Sequence, residues 1–105
     1  MIVKFDKEYL QELYVNGRTT NKKYRLQPEI VVRYVKVVNM MKNMNNVFDL
    51  TRLNALHYEH LSGNKKGYSS VRVNNQYRIE FTEETLEGQN IATICNITEL
   101  SNHYK

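Results

Sequence analysis

The sequence has few of the residues that cross-link small proteins or place them in membranes. Its 105 residues include one cysteine, Cys95, one proline and no tryptophan. A single cysteine excludes an internal disulfide and a cysteine-based zinc cluster. The longest apolar runs have three residues, far fewer than the ~20 of a membrane helix, and the first residues lack the apolar stretch of a signal peptide. We therefore expect a cytoplasmic protein with no membrane partner.

Composition and charge narrow the class further. Hydrophobic residues make up 41% and charged residues 25% of the chain, which is typical of a globular protein and not of a disordered one. The length suits one domain over residues 1–105 with a core of its own. The net charge is +4, and residues 83–105 contain four Glu but only one Lys, so the basic residues concentrate earlier in the chain. This pattern favours a polyanionic partner.

Two helices are predicted in the first half of the sequence. The first covers residues 6–17, with Asp6 as its N-cap and Gly17 at its end. The second covers residues 29–45 and follows Pro28, because polar residues recur there every three or four positions in an otherwise β-branched stretch. The polar, basic segment between the two helices is predicted to be a loop.

The clearest strand signal is a β-hairpin. Residues 68–73 and 77–81 both alternate in polarity, and a three-residue loop between them brings their apolar side chains to one face. This register places Arg72 directly opposite Arg78 on the other face. Like charges at paired positions destabilise a sheet unless they diverge into water or hold an anion between them. The sequence thus predicts two arginines on an open sheet face.

The order of the elements predicts the fold class. Residues 91–98 form a further strand with apolar residues on both faces, which indicates a central position. Residues 2–5 are a short strand or an extended lead-in. Helices followed by strands indicate an α+β fold, in which two N-terminal helices pack on a small antiparallel β-sheet.

Several kinds of site are missing from the sequence. There is no glycine-rich phosphate loop, no zinc-ligand spacing and no nucleophile elbow. His57 and His60 have a spacing that could place both on one helix face, but no third ligand is evident. We therefore expect neither a metal ion nor a cofactor.

The residues that remain suit one reaction, the cleavage of RNA without a metal. The RNA 2′-hydroxyl attacks the neighbouring phosphate, so the site needs a base, an acid and cations for the developing charge. The planar guanidinium groups of Arg72 and Arg78 match phosphate oxygens. A histidine or tyrosine near the end of the chain, His103 or Tyr104, can move the protons.

The segment from Leu61 to Phe81 resembles the signature of HigB-type toxins of the RelE/ParE superfamily. It has a leucine, a glycine with basic residues, then serine-valine-arginine-valine-asparagine and an aromatic–arginine pair. Residues 96–104 resemble the closing strand and terminal histidine of that family. The resemblance implies a RelE/ParE-like fold and a type II toxin that is a ribosome-dependent mRNA interferase and inhibits translation. It also implies a cognate antitoxin, usually a helix-turn-helix protein of the HigA kind, bound in a hetero-oligomer.

The resemblance also implies roles for individual residues. Arg72 and Arg78 would hold the scissile phosphate, and His103 would transfer protons with Tyr104 beside it. Family members end on the histidine, whereas Tyr104 and Lys105 follow it here.

The resemblance implies that four further residues contact RNA: Lys65, Lys66, His60 and Tyr77. The basic side chains would bind phosphates, and tyrosine faces can stack on single-stranded bases. The family also has a histidine upstream of the leucine–glycine turn. Its counterpart in this sequence stays open, since His57, His60 or Glu59 could occupy that place.

Two other functions compete with RNA cleavage. A ParE-like toxin would inhibit a protein target such as DNA gyrase, but such toxins tend to lack the terminal histidine and the clustered arginines. A plain RNA- or protein-binding module would lose affinity evenly as charges are removed, with no single residue essential for turnover.

Overall fold

Two helices lie on one face of a five-stranded sheet in the computed structural model, which describes residues 1–102. In chain order, the elements are β1 (Ile2–Phe5), α1 (Glu8–Asn16), α2 (Pro28–Asn43), β2 (Glu59–His60), β3 (Ser69–Arg72), β4 (Tyr77–Glu84) and β5 (Ile94–Asn102). Short 3₁₀ turns occupy much of the connection between α2 and β2. The predicted α+β class, with both helices in the N-terminal half, is confirmed.

The helix ends follow local chemistry with one exception. The prediction of Asp6 as N-cap is wrong, because Lys7 occupies that position and its side chain makes no capping hydrogen bond. Gly17 ends α1 as predicted, at a φ of 73° that glycine adopts without steric cost. Pro28 begins α2, where a missing N–H breaks no helical hydrogen bond. In residues 1–102, no helix is long and apolar enough to span a membrane.

The strand order in the sheet is β1-β5-β4-β3-β2. The predicted central strand is confirmed as interior, because β5 lies between β1 and β4, although it begins at Ile94 and extends to Asn102. The neighbouring pairs are antiparallel except that β1 runs parallel to β5. The sheet is therefore antiparallel with one parallel edge strand. No hairpin joins the first and last strands, so no tight turn sets their relative direction.

The predicted hairpin register is confirmed. Val71 is the Cα partner of Ile79, and Arg72 is the partner of Arg78. We call the side of the sheet that packs against α1 and α2 the helix face. Its buried apolar side chains from the central strands, and from the residue that follows β3, are Val71, Val73, Ile79, Phe81, Ile97 and Leu100. Full burial of one such side chain is worth about 1.5–3 kcal/mol, so this face and the helices that cover it together form the core.

The opposite side of the hairpin, which we call the polar face, carries Ser70, Arg72, Arg78 and Glu80. The prediction that this face is open is wrong, since Arg78 is only 7% and Glu80 only 2% exposed. The connection before β3 folds back over it, and atoms of this connection contact both buried side chains. The alternation of β3 and β4 could not show this cover, because the covering residues lie outside the hairpin.

Candidate functional site

Arg78 is a buried arginine held in one orientation by its neighbours on the polar face. Its Nε–H donates to Ser70 Oγ at 2.9 Å, and Nη2–H donates to the carbonyl oxygen of His57 at 2.6 Å. Glu59 Oε1 lies 3.6 Å from Nη2 and forms an ion pair. A guanidinium group has five N–H donors, and within residues 1–102 these contacts use Nε and Nη2 but not Nη1. The group is thus fixed before any ligand arrives.

His57 joins the two arginines. It has a φ of 45° and a ψ of 49°, a left-handed conformation that costs a residue other than glycine about 1–2 kcal/mol. This backbone directs its carbonyl oxygen to Arg78, while its imidazole Nε2 lies 3.5 Å from Nη1 of Arg72. Unfavourable backbone conformations cluster at functional sites. The strain at His57 therefore supports a functional role for this side of the sheet.

A cavity of about 310 Å³ opens at this point. Its lining residues are His57, Arg72, Asn74, Asn75 and Arg78. Each of these side chains can donate a hydrogen bond, and among residues 1–102 no carboxylate lines the cavity. The volume is at the lower end for small-ligand sites. The cavity thus suits a compact anion with several acceptor oxygens, such as a phosphate group.

Two carboxylates lie beside the arginine pair. Glu80 and Glu99 are Cα partners across β4 and β5, and Lys65 Nζ lies 3.0 Å from an oxygen of Glu80 and 3.2 Å from one of Glu99. Hydrogen bonds to Glu80 and then to Glu99 raise the pKa of Lys65 above its usual value. The polar face therefore has a cationic pair, Arg72 and Arg78, beside an anionic pair, Glu80 and Glu99. The positive charge of Lys65 compensates the negative charge of the anionic pair. Contact between Lys65 and RNA stays a prediction.

The structure separates three other predicted RNA contacts from the arginines. His60 lies on the helix face, where its Nδ1 is 3.1 Å from Ser69 Oγ, and its contact with RNA stays a prediction. The reason for the separation is strand alternation: Arg72 and Ser69 are three positions apart on β3 and point to opposite faces. Tyr77 is half-buried against the core. Lys66 is exposed in the turn before β3.

The predicted catalytic residues His103 and Tyr104 lie outside the described residues. The strand that leads to them is described. Ser101 is the Cα partner of Arg78, and Asn102 is the partner of Tyr77.

Sequence reasoning left His57, His60 and Glu59 as alternatives for one position, and the structure brings His57 and Glu59 to the arginines. Sequence reasoning did not predict that Ser70 or Asn75 would belong to the site. Alternation could have found Ser70, which is two residues from Arg72 and hence on the same face. The remaining members come from turns, for which no such signal exists. Within residues 1–102, no group of three or more His, Cys, Asp and Glu side chains could hold a metal ion.

Comparison with solved structures shows the fold. The YoeB/ParE toxin from Agrobacterium tumefaciens has a TM-score of 0.59 at 15% identity, covering 99% of this chain and all of that one. The YoeB–YefM complex from Staphylococcus aureus gives 0.57 at 16% identity, covering 99% of this chain and 98% of that one. YafQ from Escherichia coli gives 0.52 at 9% identity, covering 96% and 91%.

Comparison of sequences shows the family. Toxin HigB-1 from Vibrio cholerae serotype O1 is 30% identical over 82 residues, which are 77% of this chain and 82% of that protein. Residues 3–94 match the family described as RelE-like toxin of type II toxin-antitoxin system HigB. The resemblance drawn from the hairpin signature is confirmed, and the chain belongs to the family of HigB-like toxins of type II toxin–antitoxin systems.

Proposed function

We propose that this toxin is an endoribonuclease that cleaves mRNA on the ribosome and so inhibits translation. The observation that carries the proposal is the cavity at Arg72 and Arg78, which brings two guanidinium groups to one space of about 310 Å³ that has room for a phosphate group. Cleavage through the 2′-hydroxyl builds negative charge on the phosphorus oxygens in the transition state. Two arginines that are positioned in advance stabilise that charge without reorganisation, and the reaction needs no metal ion.

The reaction needs two proton transfers. A base removes the proton of the 2′-hydroxyl, the 2′-oxygen bonds to phosphorus, and the bond from phosphorus to the 5′-oxygen breaks as an acid protonates that oxygen. The products are a 2′,3′-cyclic phosphate and a 5′-hydroxyl. Arg72 and Arg78 bind the non-bridging oxygens throughout.

Two histidines are the proton-transfer groups in this proposal. His57 lies at the cavity, with its Nε2 3.5 Å from Arg72. His103 follows two residues after Ser101, the Cα partner of Arg78, and two residues of chain span at most about 7 Å. One histidine as base and the other as acid satisfies the chemistry, with Tyr104 beside His103.

The partners follow from charge and family. Basic residues concentrated in residues 1–82 favour RNA, and Lys66 is exposed to contact its phosphates. The YoeB–YefM structure is a toxin–antitoxin complex, and we infer that this toxin likewise binds a cognate antitoxin, of the helix-turn-helix kind, as a hetero-oligomer.

A ribosome assay tests the proposal. Purified ribosomes programmed with a defined mRNA are incubated with the toxin, and the cut ends are mapped and their end groups determined. We expect cleavage with 2′,3′-cyclic phosphate ends, and a loss of at least about 100-fold in rate for Arg72→Ala. Arg72 is half-buried, so this variant should fold. Lys36→Ala removes an exposed positive charge on α2 and should cleave normally.

Three outcomes would contradict the proposal or one of its parts. Intact mRNA in the presence of folded wild-type toxin and ribosomes would exclude the nuclease, and DNA damage with normal translation would favour a ParE-like target. Full activity of His103→Ala together with His57→Ala would exclude the histidines as proton-transfer groups.

A further inference from the structure

Strand β2 is the shortest strand of the sheet, and it lies beside the arginine cavity, because Glu59 forms an ion pair with the lining residue Arg78. It has two residues, Glu59 and His60, and among the strands of residues 1–102 it pairs only with β3. Side chains of adjacent strand residues point to opposite faces. Glu59 faces Arg78 on the polar face, and His60 faces Ser69 on the helix face. His57 lies two residues before this strand, so the position of β2 affects two contacts of Arg78.

On the helix face, β2 contributes to a hydrogen-bonded group that we call the His60 cluster. Its members are His60, Ser69, Glu83 and Tyr58. Ser69 is only 2% exposed, and its hydroxyl donates to Glu83 Oε2 at 2.6 Å. Tyr58 donates its hydroxyl to the same oxygen. With its proton committed to Glu83, Ser69 Oγ can only accept from His60, so the neutral imidazole carries its proton on Nδ1.

We propose that His60 is a positioning residue, which through Nδ1–H and the buried Ser69 holds β2 in place and thereby fixes His57 and Glu59 against Arg78. Its functional consequence rests on the proposed nuclease activity, whereas its structural part does not. Because a two-residue strand has few backbone hydrogen bonds of its own, one additional bond to a shielded acceptor is a large share of what holds it. His60 thus acts on the polar face without touching RNA.

The closing experiment combines a structural and a catalytic measurement on the full-length toxin. Amide hydrogen exchange is followed for Leu61, whose N–H donates to the Tyr68 carbonyl next to β2. The NMR signal of the Arg78 Nε–H, which donates to Ser70, reports the polar face. His60→Ala should speed exchange at Leu61 about five- to tenfold, the loss expected for one hydrogen bond, and should move the Arg78 signal.

Rescue separates positioning from general damage. The amide nitrogen of His60→Asn can occupy the place of Nδ1 and donate to Ser69, so this variant should restore slow exchange and the Arg78 signal, whereas His60→Ala should not. Ser69→Ala should speed exchange at least as much as His60→Ala, because it removes the bond to Glu83 as well as the bond to His60. Adding His60→Ala to Ser69→Ala should have little further effect, because the bond between the two residues is already lost. In the ribosome assay, His60→Ala should lower the single-turnover cleavage rate about 10- to 100-fold, and His60→Asn should restore it.

The possible failures are distinguishable. If the wild-type toxin cleaves no RNA, the nuclease proposal fails while exchange at Leu61 still decides the role of His60. If His60→Ala leaves the exchange rate and the Arg78 signal unchanged, the positioning role is excluded. Weaker binding of a 2′-deoxy RNA analogue with unchanged exchange would instead favour a direct RNA contact by His60.

Discussion

Strand β4 shows the two faces of the sheet in three consecutive residues. Ile79 points to the helix face, and Arg78 and Glu80 on either side of it point to the polar face, yet all three are at most 7% exposed. The helix face is buried under aliphatic and aromatic side chains, which attract without directional preference. The polar face is buried under hydrogen bonds and ion pairs that require particular atoms at particular distances.

This difference teaches that equal burial does not mean equal tolerance. An apolar face accepts substitutions that keep its volume, because contacts can be redistributed among neighbours. A buried charge loses its compensation as soon as one partner is removed. We therefore expect the helix face to govern global stability and the polar face to govern the geometry of the cavity at Arg72 and Arg78.

The largest expected effect is on the helix face. Ile79→Ala removes a fully buried side chain and should lower the free energy of unfolding by about 2–5 kcal/mol. Urea denaturation followed by circular dichroism measures this, with the exposed Val32→Ala on α2 as control. A loss below 1 kcal/mol would mean that the helix face is loosely packed and would remove the contrast between the faces.

The next effect is on the polar face. Lys65→Ala leaves the carboxylate of Glu80, with 3% side-chain exposure, without its cation and should cost about 1–3 kcal/mol. Glu80→Gln in the same chain should recover part of this loss, because a neutral amide needs no cation. A double-mutant cycle measures the coupling. Additive losses would show that Lys65 and Glu80 do not depend on each other.

The two faces also differed in what the sequence could predict. The alternation around Val71 and Ile79 was sufficient for the hairpin, its register and the opposed arginines. It could not predict the cover of the polar face, because His57 and Lys65 arrive from turns whose positions depend on the finished sheet. A strand of two residues has no period, so alternation could not decide between His57 and His60 at the cavity. The parallel pairing of β1 is likewise set by the complete fold.

A third prediction concerns alkaline pH and the helix face. Burial raises the pKa of Tyr9, on α1, to about 12, whereas an unfolded tyrosine has a pKa near 10. Above about pH 10 the unfolded chain therefore loses a proton that the folded protein keeps, and stability falls by up to about 1.4 kcal/mol per pH unit for this group. Tyr9→Phe should reduce that slope between pH 10 and 12 in urea titrations. An unchanged slope would mean that Tyr9 ionises alike in both states.

The smallest effect on stability is expected at Lys66. This residue allows a direct comparison with its neighbour Lys65, which forms ion pairs with Glu80 and Glu99. Lys66 is exposed, so Lys66→Ala should change the free energy of unfolding by less than about 0.5 kcal/mol. If Lys66 contacts an RNA phosphate, its removal should still weaken binding of a 2′-deoxy RNA analogue and reduce the salt slope by about 1. Lys65→Ala should show the reverse, a clear loss of stability with little change in salt slope, because Glu80 and Glu99 already neutralise its charge. Equal salt slopes for the two variants would place both lysines on the RNA and contradict the division between a structural and a binding lysine.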